Sequence, residues 1–174
     1  MTNTFAMARI KGYPTDTIKI PTRGTEGSTG WDFYCPGISS WFRARLLELN
    51  KDTGSYSVGK DGINLPPKSR ILIPSGLKVR LPPDTALIAF EKSGLATKSG
   101  VVPTCRVVDM DYQGELCVGI LNTGSSAFKI AYGTKIGQYL LVPVIMEKYT
   151  LLPEEKIYTS ESERGSGGFG STGA

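Results

Sequence analysis

The sequence contains no histidine and only three cysteines among its 174 residues. Cys35, Cys105 and Cys117 are widely spaced and form no C-x-x-C pair, so neither a zinc site nor a disulfide framework is expected. Small, reduced side chains in the core are the simpler interpretation. Because histidine is absent, a general base near neutral pH must be a carboxylate, a perturbed Lys, Tyr or Cys side chain, or metal-bound water.

Long apolar runs are also missing. No stretch approaches the roughly 18 apolar residues that span a bilayer, and the first residues lack the apolar run of a signal peptide. The formal net charge of +4 is mild, and the basic pairs Lys68/Arg70 and Lys78/Arg80 have the spacing of solvated strand faces. We therefore expect no membrane or nucleic-acid partner, and a soluble protein of the cytoplasm, or of the nucleus if the source is eukaryotic or viral.

Glycine and proline are plentiful, with 21 and 11 residues, and they separate short apolar segments. Such segments at regular short spacing, without an alternating strand–helix rhythm, predict a jelly-roll or barrel-like all-β domain. Ser93 suits a helix N-cap, so one short helix is expected to begin there. The predicted strands cover residues 5–10, 17–20, 31–34, 70–74, 76–81, 85–90, 116–122, 128–130, 136–144 and 146–152.

Two regions differ from this pattern. The apolar spacing of residues 41–49 fits neither a helix nor a strand well, so we interpret residues 36–62 as a surface excursion of unknown role. Residues 161–174 are rich in glycine and predict a flexible C-terminal flap after a single domain of residues 1–160. A plain linker would need neither Arg164 nor Phe169, whereas a flap that closes over a phosphorylated base would use both.

The segment 107–115 carries the most informative pattern. Two valines lead into Asp109, the turn-forming residues 111–114 follow, and an apolar segment returns. This predicts a hairpin that holds Asp109 at the end of a buried strand beside Tyr112. A carboxylate in such a place must be hydrogen-bonded, ion-paired or used in chemistry. With no histidine to compete, Asp109 is the candidate general base.

Five short motifs together resemble the trimeric all-β deoxyuridine triphosphatase (dUTPase) family. They are STGWD (28–32), KSGLA (92–96), VVDMDYQGE (107–115), GTKIGQ (133–138) and the glycine-rich stretch 164–173. The third and fifth are highly specific, whereas the first and fourth are weak alone. The resemblance covers nearly the whole chain outside residues 36–62, and it implies a distorted jelly-roll or β-clip barrel. It also implies a homotrimer that hydrolyses dUTP to dUMP and pyrophosphate with Mg²⁺, each site being shared between chains.

The resemblance assigns roles to individual residues. Asp109 orients and deprotonates the attacking water, Tyr112 packs under the deoxyribose, and the backbone at Val107 and Val108 binds uracil. Asp32 matches a carboxylate that acts on the metal through water. The remaining substrate-binding residues are Lys92, Ser93, Gly94, Gln138 and Arg164 at the triphosphate, Phe169 with Gly170 at the base, and Ser171 and Thr172 at the γ-phosphate.

The chain departs from the family pattern at several positions. Lys92 and Lys135 stand where arginine is usual, Arg106 replaces a common glycine, and Pro103 lies near a position that often holds a base-contacting polar residue. The sequence leaves three other functions open. The dCTP deaminases share the fold but use a glutamate where this chain has Gly119; a regulatory nucleotide-binding protein and a structural jelly-roll protein are the others.

Overall fold

The structure is a computed structural model that describes residues 4–167. Within this range the chain forms short strands and two α-helices. In chain order these are β1 (Ala6–Arg9), β2 (Trp31–Tyr34), α1 (Ser40–Leu49), β3 (Ser57–Val58), β4 (Gly62–Leu65), β5 (Arg70–Pro74), β6 (Leu77–Arg80), β7 (Thr85–Phe90), α2 (Ser93–Ser99), β8 (Val101–Pro103), β9 (Val107–Val108), β10 (Cys117–Asn122), β11 (Phe128–Ala131) and β12 (Lys135–Pro143).

The strands pair in antiparallel ladders around one hydrophobic core. The orders are β2-β12-β7-β9, β5-β10-β8, β11-β4-β3 and β1-β6. Alternate residues of the central strands point inward, so that Phe33, Ile73 and Tyr139 are almost fully buried. The predicted all-β class is confirmed. Among the described residues, however, the ladders remain separate sheets with open ends and no barrel closes.

The predicted hairpin of residues 107–122 is wrong. Strand β9 pairs with β7, where Val108 lies opposite Leu87, and strand β10 belongs to another sheet. Strand β10 already has β5 on one side and β8 on the other, so it has no free edge for β9. Strand β9 is not buried either, because the side of the sheet that carries Val107 is open and this residue is 59% exposed.

The sequence predicts one short helix and a surface excursion over residues 36–62; the structure differs in both respects. A second helix, α1, begins after Ser39, whose hydroxyl accepts a hydrogen bond of 3.1 Å from the Phe42 backbone N–H. Phe42 and Leu46, four residues apart on one helix face, are fully buried in the core. The segment is therefore partly a core element, and only the outer face of α1 meets solvent.

Asn50 fixes the end of α1 to the open edge of strand β5. Its side-chain amide donates to the Leu72 carbonyl at 2.7 Å, and its side-chain oxygen accepts from the Leu72 N–H at 2.8 Å. The buried Asn50 side chain thus makes the two hydrogen bonds that the backbone of a neighbouring strand would otherwise make to Leu72. A helix that covers a strand edge in this way also prevents unwanted pairing with another chain.

Two other predicted strands do not form, and one boundary shifts. Residue 17 ends a 3₁₀ turn, Thr15–Thr17, and residues 18–20 form no strand. Residues 146–152 have no strand partner among the described residues. The predicted short helix is present as α2, but Lys92 rather than Ser93 is its N-cap. Neither this helix nor α1 has the length and apolarity that crossing a membrane requires, and the same holds for all helical residues between 4 and 167.

Candidate active site

A pocket of about 240 Å³ lies beside strand β9 and the segment that follows it. It brings together four of the residues that the sequence singles out, and it adds several that the sequence does not. The lining residues are Arg45, Leu49, Leu72, Cys105, Val107, Val108, Asp109, Tyr112, Leu116 and Cys117. Most of these side chains are apolar, and the Asp109 carboxylate is the acidic group at the wall. A small apolar pocket with few convergent polar groups is typical of a ligand site.

Asp109 and Tyr112 are held in this pocket by a tight turn. The Tyr112 N–H donates to the Asp109 carbonyl at 3.2 Å, and the Tyr112 hydroxyl donates to the Glu115 carbonyl at 2.9 Å. Burial raises the pKa of Tyr112, so its hydroxyl stays protonated and remains a donor at neutral pH. The ring is therefore anchored at both ends, while the Asp109 carboxylate is exposed to solvent and ligand.

Glu115 anchors this turn to the rest of the molecule. Its buried carboxylate accepts hydrogen bonds from the Tyr13 hydroxyl at 2.9 Å, the Gly76 N–H at 2.8 Å and Arg45 Nε at 3.1 Å. Burial and the neighbouring Glu115 charge raise the pKa of Tyr13, which keeps that donor protonated. The sequence includes Glu115 in a motif but gives no signal for Tyr13 or Arg45, because both lie at least 70 residues away in the chain.

A second cluster of predicted residues lies on strands β2 and β12 and at the start of α2. We call Asp32, Lys92, Lys135 and Gln138 the lysine cluster. The buried Asp32 carboxylate lies 2.7 Å from Lys135 Nζ and 3.2 Å from Lys92 Nζ, and the hydrogen bond to Asp32 raises the pKa of Lys135. Gln138 lies opposite Asp32 in the ladder. With two ammonium groups and one carboxylate, the cluster carries a net positive charge that suits a phosphate chain.

Gly30 shows how closely the lysine cluster is packed. A Cβ atom at this position would lie 2.6 Å from Cγ of Gln138, closer than unbonded carbon atoms approach. A larger residue would therefore displace the Gln138 side chain. This contact gives a physical reason for the glycine of the STGWD motif.

Asp109 and the lysine cluster lie at opposite ends of strand β7. Val108 is opposite Leu87, and Asp109 lines a surface recess with Thr85 and Ala86, where β7 begins. Lys92 follows Phe90, where β7 ends. The strand has six residues and at about 3.3 Å per residue it spans roughly 16 Å. Within one chain, the structure does not bring the two groups together.

The other predicted residues that the structure describes are exposed to solvent. Ser93 and Gly94 are exposed at the start of α2, and the space beside Gly94 is open to a ligand. Arg164 is exposed, and its Nε donates to the Gly167 carbonyl at 2.8 Å rather than to the pocket. Phe169, Gly170, Ser171 and Thr172 lie outside the described residues, so their roles stay predictions.

The two departures nearest the pocket do not line it. Arg106 Nε donates to the Ala89 carbonyl at 3.2 Å, and its guanidinium lies 5.8 Å from the Phe90 ring centroid. An ion pair of 3.6 Å with Glu91 completes this arrangement along β7. Pro103 lies opposite Ile120 in the neighbouring sheet. Because neither residue lines the pocket, the backbone of β9 remains the group that can contact a ligand there.

Comparison with known proteins gives a consistent result. The dUTPase family model matches residues 58–173. The deoxyuridine 5'-triphosphate nucleotidohydrolase of Desulfotalea psychrophila is 32% identical over 166 residues, which cover 94% of this chain and 93% of that protein. The corresponding protein of Pseudomonas fluorescens is 40% identical over 158 residues, with 89% and 87% covered. The chain belongs to the dUTPase family.

A solved dUTPase shares the fold. The dUTPase of Staphylococcus bacteriophage 80alpha with dUPNHPP superposes with a TM-score of 0.72 at 19% identity, covering 99% of this chain and 100% of that one. The dUTPase model begins its match at residue 58, so helix α1 precedes the matched region although it lines the pocket. Arg45 and Leu49 of this helix therefore line the pocket from outside the five motifs, as do Leu72, Cys105, Leu116 and Cys117.

Proposed function

We propose that this dUTPase family member hydrolyses dUTP to dUMP and pyrophosphate, which removes dUTP and supplies dUMP for thymidylate synthesis. The observation that carries the proposal is the shared pocket of Asp109 and Tyr112, which places a carboxylate and an anchored ring at one apolar cavity. The family membership and the names of the relatives support the substrate.

Asp109 is the proposed general base. Its carboxylate is exposed at the pocket wall, where it can accept the proton of a bound water. The water oxygen then bonds to the α-phosphorus while the bond from that phosphorus to the bridging oxygen breaks, and pyrophosphate leaves. A positioned base typically contributes about 10²- to 10⁴-fold to the rate, so positioning and charge neutralisation must supply the remainder.

The lysine cluster is the proposed partner of the triphosphate, together with Ser93, Gly94 and Arg164. Two ammonium groups on one buried carboxylate give a fixed positive surface at low reorganisation cost. Lysine lacks the planar fork of arginine, so it would bind phosphate oxygens as a point charge rather than in a bidentate manner.

Magnesium is proposed to enter with the substrate, as the magnesium complex of dUTP. Among the described residues there is no group of three or more acidic or thiol side chains that could cage a metal ion. Mg²⁺ commonly binds phosphates and water with one or two carboxylates, so it would not require such a group. Because both Asp32 oxygens are paired with Lys135 and Lys92, Asp32 would reach the ion only through water, and the ion would neutralise charge on the phosphates.

Nucleoside recognition is proposed to combine three groups. The backbone at Val107 and Val108 borders the pocket and would hydrogen-bond uracil, a readout that strongly disfavours a base with mismatched donors. The anchored ring of Tyr112 would pack under the deoxyribose and leave no room for a 2′-hydroxyl. From the tail, Phe169 with Gly170 would cover the base, and Ser171 and Thr172 would reach the γ-phosphate.

A homotrimer with shared sites is the proposed assembly. Asp109 and the lysine cluster of one chain lie at opposite ends of β7, and this separation supports a site that takes the two groups from different chains. The segment after β12 also exposes Ile145, Tyr149 and Leu151, which are each more than 85% accessible in the single chain. Contiguous exposed apolar side chains commonly mark an interface. Sedimentation should therefore give about three times the chain mass of 18.8 kDa, and a monomer under assay conditions would contradict the assembly.

Deamination is disfavoured by the surroundings of Gly119. A Cβ atom there would lie 2.4 Å from Thr104 Oγ1 and 2.8 Å from Cys105 Sγ. The position therefore has no space for the glutamate that a deaminase would need. This contact adds a steric reason to the difference in residue type.

One assay distinguishes the candidate functions. Pyrophosphate and ammonia release are measured from dUTP, dCTP, dTTP and UTP, each with and without Mg²⁺. We expect Mg²⁺-dependent pyrophosphate release from dUTP and little from the other three. Ammonia release from dCTP would indicate a deaminase, and nucleotide binding without any turnover would indicate a regulatory protein.

A further inference from the structure

Helix α1 forms one wall of the nucleoside pocket. Its residues Arg45 and Leu49 line the same space as Asp109 and Tyr112. Buried Phe42 and Leu46 fix the helix in the core, and the Asn50 pair with Leu72 fixes its end. A wall that is held at several points keeps its shape when a ligand enters.

Arg45 connects this wall to the turn that carries Tyr112. Its Nε donates to Glu115 Oε2 at 3.1 Å, and its Nη1 lies 2.8 Å from Glu48 Oε2, one turn along the helix. The Glu115 backbone carbonyl accepts the hydrogen bond of the Tyr112 hydroxyl at 2.9 Å. The side chain of Glu115 is thus held by α1, and its main chain holds the Tyr112 ring.

Arg45 is the residue that compensates the negative charge of Glu115. The Glu115 side chain is only 6% exposed, and in residues 4–167 its ion pair is with Arg45. The Tyr13 hydroxyl and the Gly76 N–H are neutral donors. Without the guanidinium, a nearly buried carboxylate would lack a compensating charge and would move toward solvent. The backbone of Glu115, and with it the Tyr112 ring, would then lose its fixed position.

We propose that Arg45 is a positioning residue that enforces selectivity for deoxyribose over ribose by holding the Tyr112 ring through Glu115. The inference rests on the proposed function, in which the ring excludes a 2′-hydroxyl. To exclude a 2′-hydroxyl by shape, the Tyr112 ring must stay in place. A displacement of about 1 Å is enough to admit an extra oxygen or to misplace the reacting groups. Arg45 would supply that rigidity from a helix outside the region that the family model matches.

The test compares dUTP with UTP in three Arg45 variants and one control. Arg45→Ala and Arg45→Met remove the charge, and the methionine keeps most of the apolar stem. Arg45→Lys keeps the charge. Arg43→Ala changes an exposed arginine of the same helix, which donates to the Val58 carbonyl away from the pocket. For each protein kcat/KM is measured with both nucleotides, and dissociation constants are measured for dUMP and UMP.

We expect the ratio of kcat/KM for dUTP to that for UTP to fall about tenfold or more in Arg45→Ala and Arg45→Met, in line with the loss of one charge-assisted hydrogen bond. Arg45→Lys should retain part of the selectivity, and Arg43→Ala should retain all of it. A merely structural role would lower both rates equally and leave the ratio unchanged, which would overturn the proposal. If the unaltered protein hydrolyses neither nucleotide, the proposed function fails, and the dUMP to UMP affinity ratio across the same variants decides the inference.

Discussion

Asp32 and Lys92, 60 residues apart in the chain, form an ion pair of 3.2 Å in which the carboxylate is almost completely buried. Lys135 approaches the other carboxylate oxygen at 2.7 Å. The buried carboxylate therefore sets the position of two ammonium groups that remain about one-third exposed. A site that positions its cations before the substrate arrives needs little rearrangement when a polyanion binds.

Removal of one of these cations should weaken substrate binding. In Lys92→Ala we expect kcat/KM for dUTP to fall roughly 10- to 100-fold, since a hydrogen bond to a charged group contributes about 1.5–3 kcal/mol. Lys98→Ala, which changes an exposed lysine in the last turn of the same helix, is the matched control and should behave as the unaltered protein. Steady-state kinetics with both variants measures the difference; equal values would remove Lys92 from the triphosphate site.

Replacement of the proposed base should stop the reaction without preventing binding. Asp109→Asn keeps the size of the side chain but loses the proton acceptor, so we expect pyrophosphate release to fall by about 10²- to 10⁴-fold. The dissociation constant for dUTP, measured by calorimetry, should change little. Asp111→Asn alters an exposed carboxylate in the same turn and serves as the control. Activity of Asp109→Asn within a few-fold of the unaltered protein would exclude Asp109 as the base.

Gly119 should be intolerant of even one added carbon. In Gly119→Ala the new methyl group would collide with Thr104 and Cys105, so we expect a loss of about 1–3 kcal/mol in the free energy of unfolding. Gly54→Ala is the comparison, because no atom lies within 4 Å of a Cβ built at that position. Urea unfolding monitored by tryptophan fluorescence gives both values. Similar stability of the two variants would show that strand β10 can shift to accommodate the methyl group.

Alkaline pH should destabilise the protein through its buried thiols. Burial raises the pKa of Cys35 and of Cys117 to about 12. The unfolded chain then loses these protons near its ordinary thiol pKa of about 8.5, while the folded chain keeps them. The stabilisation is complete below that pH and declines as pH rises toward the folded value, by up to about 1.4 kcal/mol per unit for each group. Urea midpoints between pH 7 and 10.5 should fall, and less steeply in Cys35→Ala; a flat profile would contradict this.

Much of the fold was predictable because its signals are local. Short apolar segments bounded by glycine and proline gave most of the strands, including β7 and β12, within one or two residues. Asp109 and Tyr112 lie together because they bound a turn of only four residues, although the sequence placed the turn at residues 111–114. Such features depend on neighbours in the chain, which a single sequence displays directly.

The features that were missed depend on distant partners. Helix α1 was ambiguous because Trp41 and Leu47 are exposed while Phe42 and Leu46 are buried, which obscures the helical periodicity. The ion pair of Arg45 with Glu115 joins residues 70 positions apart. The predicted hairpin was wrong for the same reason, since strand β10 takes its partners from β5 and β8 and not from the adjacent segment.

The central claim, a hydrolase site assembled from more than one chain, is tested most directly by mixing two impaired variants. Asp109→Asn and Lys92→Ala chains, carrying different affinity tags, are co-expressed, and the mixed oligomers are isolated through both tags. If Asp109 of one chain acts with Lys92 of its neighbour, about one in three sites of each mixed trimer is intact. The account predicts dUTP hydrolysis far above the sum of the separate variants. Activity no greater than that sum would show that each chain forms its site alone and would contradict the account.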